Sequence, residues 1–214
     1  MICVSVMDSD KGRVIEAIEG HELAEVRLEA LSPTPEDVRE IFSSPAKLIA
    51  TMRPGKHSDE ERLKTLTAAI EAGAAYVDIE LGSPTLLREG LAQAARRNGC
   101  EIIVSHHDFQ STPDRDELME IVDRCFEEGA DLAKIACVVK ERADAARLLG
   151  LLEDPRPIVA IGMGRMGAIT RVAAPLLGSP FTYASPEGGP PTAEGQLPEG
   201  TLRRIMEEIA NGAG

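Results

Sequence analysis

Short apolar runs alternate with longer amphipathic stretches eight times along this 214-residue chain, and no other feature narrows its fold as much. The runs are ICVSV (2–6), AEVRLEA (24–30), KLIATM (47–52), AYVDIEL (75–81), EIIVSHH (101–107), LAKIAC (132–137), PIVAIG (157–162) and FTYAS (181–185). Helical patterns lie between them, around 11–18, 35–43, 58–72, 84–98, 114–128, 141–152 and 166–177, and a last one over 199–210 closes the chain. Start signals precede several helices: Ser32-Pro33-Thr34-Pro35-Glu36, the capping-box form Ser58-Asp59-Glu60-Glu61, Ser83-Pro84 and Thr112-Pro113-Asp114. Gly73, Gly99 and Gly129 stand where helices should stop. No linker or change of composition divides the chain. The expectation is one domain over residues 1–214, a (β/α)8 TIM barrel of the α/β class.

The polarity of the runs separates this fold from a doubly wound sheet, whose strands are covered on both faces and read as almost wholly apolar. Here Glu25, Arg27 and Glu29 alternate with Val26 and Leu28, Asp78 and Glu80 alternate with Val77 and Ile79, and Lys134 lies between Ala133 and Ile135. With a side-chain period of two, one face of each strand is apolar and one charged. In a closed barrel the charged face points inward. Ionised groups cannot be buried alone, so they must pair with one another or line a polar pocket.

Composition excludes several classes of function. The chain carries 23 basic and 36 acidic residues, a formal net charge of −13, with no Trp and few other aromatics, which argues against nucleic acid as a partner. No apolar stretch approaches the length of a membrane helix, and the first residues lack a basic leader, so a soluble, cytoplasmic protein is expected. Cys3, Cys100, Cys125 and Cys137 are too widely spaced to suggest a zinc site or a disulfide framework, and buried, reduced thiols are expected.

Three kinds of residue could carry chemistry. Lys134, within the apolar strand ADLAKIAC, sits where a low dielectric favours the neutral amine, which attacks carbonyls to form Schiff bases. His107 ends the fifth run, where barrel strands deliver catalytic groups, and shares an inward face with Ile103 and Ser105, while His106 turns to the helices. Arg27, Arg53 and Arg171 stand at or just past strand ends and together suggest a carboxylate or phosphate site.

The pieces E-V-R-L-E (25–29), T-M-R (51–53), V-D-I-E-L (77–81), V-S-H-H-D-F (104–109), A-K-I-A (133–136), M-G-R-M-G-A-I-T-R (163–171) and T-A-E-G-Q (192–196), in this order over nearly the whole chain, resemble the type I 3-dehydroquinate dehydratase family. The resemblance implies a dimeric barrel that uses no metal or organic cofactor and eliminates water from 3-dehydroquinate to give 3-dehydroshikimate, the third step of the shikimate pathway. By motif match, Lys134 forms an imine with the substrate ketone and His107 shuttles protons. Arg171 holds the substrate carboxylate, Thr192 and Gln196 close the site from a Gly/Pro-rich lid, and Glu25, Arg27 and Arg53 hold ring hydroxyls and shape the charge around Lys134. Ser5 and Met163 are further candidates for the pocket wall. Two departures stand out. Many relatives carry a glutamate shortly after the third-strand arginine, part of the histidine's hydrogen-bonding set, where this chain reads Arg53-Pro54-Gly55-Lys56-His57; and Thr192 stands where serine is common. What orients His107 is left open, with Asp108 either serving it or capping a turn.

Gly162, Gly164 and Gly167 spell G-x-G-x-x-G after an apolar run, with Glu187 about 20 residues on, as in a dinucleotide site. In a barrel the same glycines form the turn after strand seven, allowing backbone to approach ligand closely, and Glu187 falls in the lid. Three alternatives remain distinguishable by experiment: a Schiff-base aldolase by a retro-aldol assay, a dehydrogenase by NAD(H) binding, and a non-catalytic anion-binding barrel by absent turnover.

Overall fold

The computed structural model describes residues 1–212 and is a (β/α)8 barrel. In chain order the elements are β1 (Ile2–Val6), α1 (Lys11–Ile18), β2 (Leu23–Arg27), α2 (Leu28–Leu31), α3 (Pro35–Phe42), β3 (Lys47–Thr51), α4 (Asp59–Glu71), β4 (Tyr76–Glu80), α5 (Thr85–Asn98), β5 (Glu101–Asp108) and α6 (Arg115–Glu127). Then follow β6 (Leu132–Val138), α7 (Arg142–Gly150), β7 (Ile158–Met163), α8 (Ala168–Leu176), β8 (Thr182–Ala184) and α9 (Glu199–Asn211). All strand pairs are parallel in the order β7-β6-β5-β4-β3-β2-β1-β8, and the seam between β7 and β8 carries no ladder.

Each expected run overlaps a strand, with two informative differences. The second strand ends at Arg27, and Leu28 to Leu31 turn into a short helix, so Glu29 leaves the strand's alternation and reaches Arg27 from the strand end. The helix expected over 166–177 begins at Ala168 after a tight turn at Arg165–Gly167. Helix starts follow local chemistry: Thr34 and Ser58 form capping boxes with Asp37 and Glu61, and Asp114 caps α6. Ser83 does not cap α5, because Pro84 takes the cap position and no side chain bonds the helix N-terminus there.

Three apolar clusters hold the barrel. The largest fills the space between strands and helices and includes Val26, Ala50, Val77, Ile79, Val104 and Ile135. A second plugs the barrel interior, with Cys3, Leu23, Ile49, Ile103, Leu132 and Val159. The third packs α9 through Leu202 against Ile2, Val172 and Ala184. The four cysteines are free and buried, as expected. Among the described residues, no helix is long and apolar enough to cross a membrane.

Candidate active site

A cavity of about 420 Å³ opens at the C-terminal ends of the strands, where barrels place their chemistry. Lys134, His107, Glu25, Arg27, Arg53, Arg171, Thr192, Gln196 and Met163 all line it, so residues spread over most of the chain meet in one place. Ser5 is drawn back from the wall. Its hydroxyl accepts from Thr192 Oγ1 at 2.8 Å and donates to Glu25 at 2.5 Å, tying the lid to the barrel interior.

Lys134 points inward from β6, opposite Ser105 of β5, and is 5 % exposed. Its surroundings are not apolar, as its strand suggested. Nζ lies 3.1 Å from Asp78 Oδ2 and 3.5 Å from Glu25 Oε1, and rests 4.3 Å above the Tyr183 ring. Burial would raise the Glu25 carboxyl, but Lys134 and Arg27 outweigh it and hold the group below its usual range. Asp78 follows the same pattern: burial opposes ionisation, and Arg53 together with Lys134 overcomes it.

Arg53 is the hub of this network. Its two terminal nitrogens bond both oxygens of Asp78 at 2.9 and 2.8 Å, and Nη1 also reaches Glu80 at 2.7 Å and Ser105 at 2.8 Å. A guanidinium so occupied orients carboxylates and has few donors left for a ligand. Arg27 is held by Glu29 through Nε at 2.6 Å.

What orients His107 is Glu80, on the neighbouring strand β4. Both carboxylate oxygens lie near Nδ1, at 3.0 and 2.9 Å. A carboxylate only accepts, so Nδ1 carries the proton and Nε2 is left to exchange one. Burial holds the imidazole below its usual pKa; the Glu80 bond works against this shift, and the charges of Arg53 and Lys134 add to it. Asp108 takes no part, since it accepts from the backbone of Gln110 and Ser111 and so caps the turn after β5. His57, standing where the glutamate was missed, lies 3.4 Å from the Glu29 carbonyl and outside the cavity wall. Phe109, 72 % exposed at the mouth, stacks on the His107 ring with centroids 5.9 Å apart.

Arg171 differs from the other cations. It is 1 % exposed in the first turn of α8, and Nη1 donates to the Tyr183 carbonyl at 3.2 Å, while Nε and Nη2 have no partner. Burial lowers its pKa to about 10, which still leaves a full cation near neutrality. A buried cation with unused parallel donors has the chemistry to receive an anion.

The glycine turn and the lid are coupled. A Cβ on Gly167 would lie 2.3 Å from the Gly162 carbonyl carbon, so these two glycines let α8 pack on β7 backbone to backbone. Gly164 donates to the Glu194 carbonyl at 3.2 Å, and Gly195, with φ +83°, sits so close that a Cβ would meet the Gly164 oxygen at 2.5 Å. Gln196 Oε1 accepts from Thr192 N at 2.7 Å and thereby shapes the lid tip. Glu187 accepts from Gly200 N, at the start of α9.

The sequence marks Asp78, Glu80 and Ser105 as inward-facing without assigning them to the site, and Tyr183 was missed altogether. The signal was present, since the period of two turns Asp78 and Glu80 in YVDIE, Ser105 in EIIVSHH and Tyr183 in FTYAS inward. Among the described residues, no group of three His, Cys, Asp or Glu side chains is placed to hold a metal ion.

Fold and cavity together define a (β/α)8 barrel with a buried lysine between carboxylates, an oriented histidine on the neighbouring strand and a buried arginine with unpaired donors. The chain belongs to the type I 3-dehydroquinase family, whose model matches residues 2–212. It is 39% identical over 223 residues to a 3-dehydroquinate dehydratase of Methanothermobacter thermautotrophicus, covering 97% of this chain and 96% of the relative. A second, from Methanococcus maripaludis, is 36% identical over 221 residues, covering 98% of this chain and all of the relative. The crystal structure of the 3-dehydroquinate dehydratase from Aquifex aeolicus VF5 superposes with a TM-score of 0.80 at 26% identity, over 98% of each chain.

Proposed function

We propose that this chain is a 3-dehydroquinate dehydratase, a hydro-lyase that removes water from 3-dehydroquinate to give 3-dehydroshikimate through an imine on Lys134. The observation that carries the reading is the meeting of Lys134, the Glu80-oriented His107 and the unpartnered donors of Arg171 in one cavity. Arg171 takes the substrate carboxylate, which sets the ketone at Lys134. The lysine gives up a proton to His107 Nε2, and its lone pair forms the carbon–nitrogen bond while the carbonyl π pair moves to oxygen. That oxygen is protonated and leaves as water. The resulting iminium is an electron sink, so the proton on the adjacent carbon becomes acidic and His107 Nε2 removes it. The enamine pair then expels the hydroxyl on the next carbon, which departs as water with the proton from His107. Hydrolysis of the product imine returns the free lysine. Glu25, Arg27, Thr192 and Gln196 bind ring hydroxyls, and Ser5 holds Glu25 and Thr192 together. No cofactor enters this scheme.

The protein works as a homodimer in the cytoplasm. Two features support this: four free, buried thiols, and the exposed apolar side chains Met166, Ile169, Leu176 and Leu177 at and around α8.

The test is the mass of intact protein and peptides after incubation with 3-dehydroquinate and borohydride. A reduced adduct on Lys134, absent from Lys134→Ala, is expected. No adduct together with no dehydroshikimate absorbance would reject the reading in favour of a binding protein.

A further inference from the structure

Among the described residues four buried side-chain atoms lack a hydrogen-bond partner, and three of the four belong to two residues of the cavity wall: Nε and Nη2 of Arg171, and the hydroxyl of Tyr183. The fourth, Arg147 Nε, lies outside the cavity. Unpaired polar groups are uncommon in protein interiors because each forfeits its hydration, so their concentration around one cavity marks donors reserved for a ligand. The Arg171 pair is accounted for by the substrate carboxylate. The Tyr183 hydroxyl has no such assignment.

Its placement relates it to the lysine. Tyr183 is the middle residue of β8, in register with Cys3 of β1, and is 2 % exposed. Its ring centroid lies 4.3 Å from Lys134 Nζ, which brings the phenol within reach of a carbon bonded to that nitrogen. Phe181 packs edge-on against the ring, with centroids 5.6 Å apart, and fixes its plane. Burial raises the phenol pKa well above its usual value, and the charge of Glu25 adds to the effect, which keeps the group a donor.

We propose that Tyr183 is a further catalytic residue of this site: its hydroxyl donates a hydrogen bond to the oxygen of the carbonyl that Lys134 attacks. This inference rests on the imine reading above. As the nitrogen lone pair forms the new bond, the carbonyl π pair collects on oxygen, and a donor already fixed beside it stabilises that charge without reorganisation. Tyr183 keeps its own proton. The proton that turns the oxygen into a leaving water comes from His107, so the balance of the step is unchanged. The same contact favours ligands whose ketone oxygen lies next to the point of attack over analogues reduced to an alcohol, which cannot develop this charge.

The experiment compares wild type with Tyr183→Phe, which keeps the ring against Lys134 and deletes only the oxygen. The rate of borohydride-trapped adduct formation and kcat are measured together at a temperature where circular dichroism shows both proteins folded. Both rates are expected to fall by roughly a hundredfold to a thousandfold, as for the loss of one oxyanion donor. The thermal midpoint of the ligand-free variant should hold or rise, because an unpaired buried hydroxyl has been removed. Equal trapping rates in the two proteins would overturn the inference, and a lowered midpoint beside an unchanged rate would make the hydroxyl a structural group. Failure of wild type to form any adduct would instead overturn the imine reading and this inference with it.

Discussion

Moving two residues along the same inward face of a strand changes the barrel interior completely. Cys3 is followed by Ser5, Leu23 by Glu25, Ile49 by Thr51, Tyr76 by Asp78, Ile103 by Ser105 and Leu132 by Lys134. The first member of most of these pairs belongs to the apolar plug, and the second to the hydrogen-bonded layer beneath the cavity. Both layers are dry: Ile49 and Ser5 are each 0 % exposed. Burial alone therefore does not distinguish them. The plug is stabilised by excluding water from apolar surface, whereas the upper layer is tolerated because every charge has an opposite partner within reach. Stability and chemistry are stacked along one axis, a few ångströms apart.

The sharpest way to break this comparison is Lys134→Ala. Turnover should vanish, whereas the plug should keep the barrel folded, so a cooperative melting transition persists in calorimetry. Turnover near the wild-type rate would end the imine mechanism. Arg171→Leu comes next, because it removes the donors proposed to hold the substrate carboxylate. A loss of about a hundredfold in kcat/KM is expected, in line with the cost of removing one partner from a buried charge-assisted pair. A change confined to kcat would show that Arg171 does not bind the substrate's charge.

Glu80→Gln has a smaller effect with a distinctive signature. The acidic limb of kcat/KM reports loss of neutral His107, and burial places it below the usual histidine value of 6.5. The Glu80 carboxylate pulls in the opposite direction, so removing its charge should carry the limb to still lower pH, with a fall in kcat of roughly tenfold from the freed ring. A limb that moves upward would mean Glu80 does not act through His107. The smallest effect on turnover belongs to the plug. Ile103→Ala should cost about 2–5 kcal/mol of unfolding free energy by denaturant titration, as cavity-forming substitutions do, while kcat well below the melting temperature stays near wild type. A large fall in kcat with intact stability would show that the two layers are not separable.

Much of the molecule could be read from the chain. Eight alternations named the barrel, and the period of two turned Glu25, Asp78, Glu80, His107 and Lys134 toward its centre, because pleat direction is a local property of a strand. Capping boxes at Thr34 and Ser58 were equally local. Partners were not. The sequence could place Lys134 in an apolar strand but could not say that it faces Asp78, 56 residues earlier, and Glu25, 109 residues earlier. It left His107 without an orienting group, since the missing glutamate was sought after Arg53, and Glu80 reaches the ring from the adjacent strand instead. The use of Gly162 and Gly167 against each other, and the unpaired hydroxyl of Tyr183, likewise depend on which backbones and rings the closed barrel brings together. Spacing along the chain thus determined which residues enter the interior. Strand order, register and barrel closure decided what each one meets there, because charge pairing and packing act between neighbours in space whose separation in sequence carries no information about them.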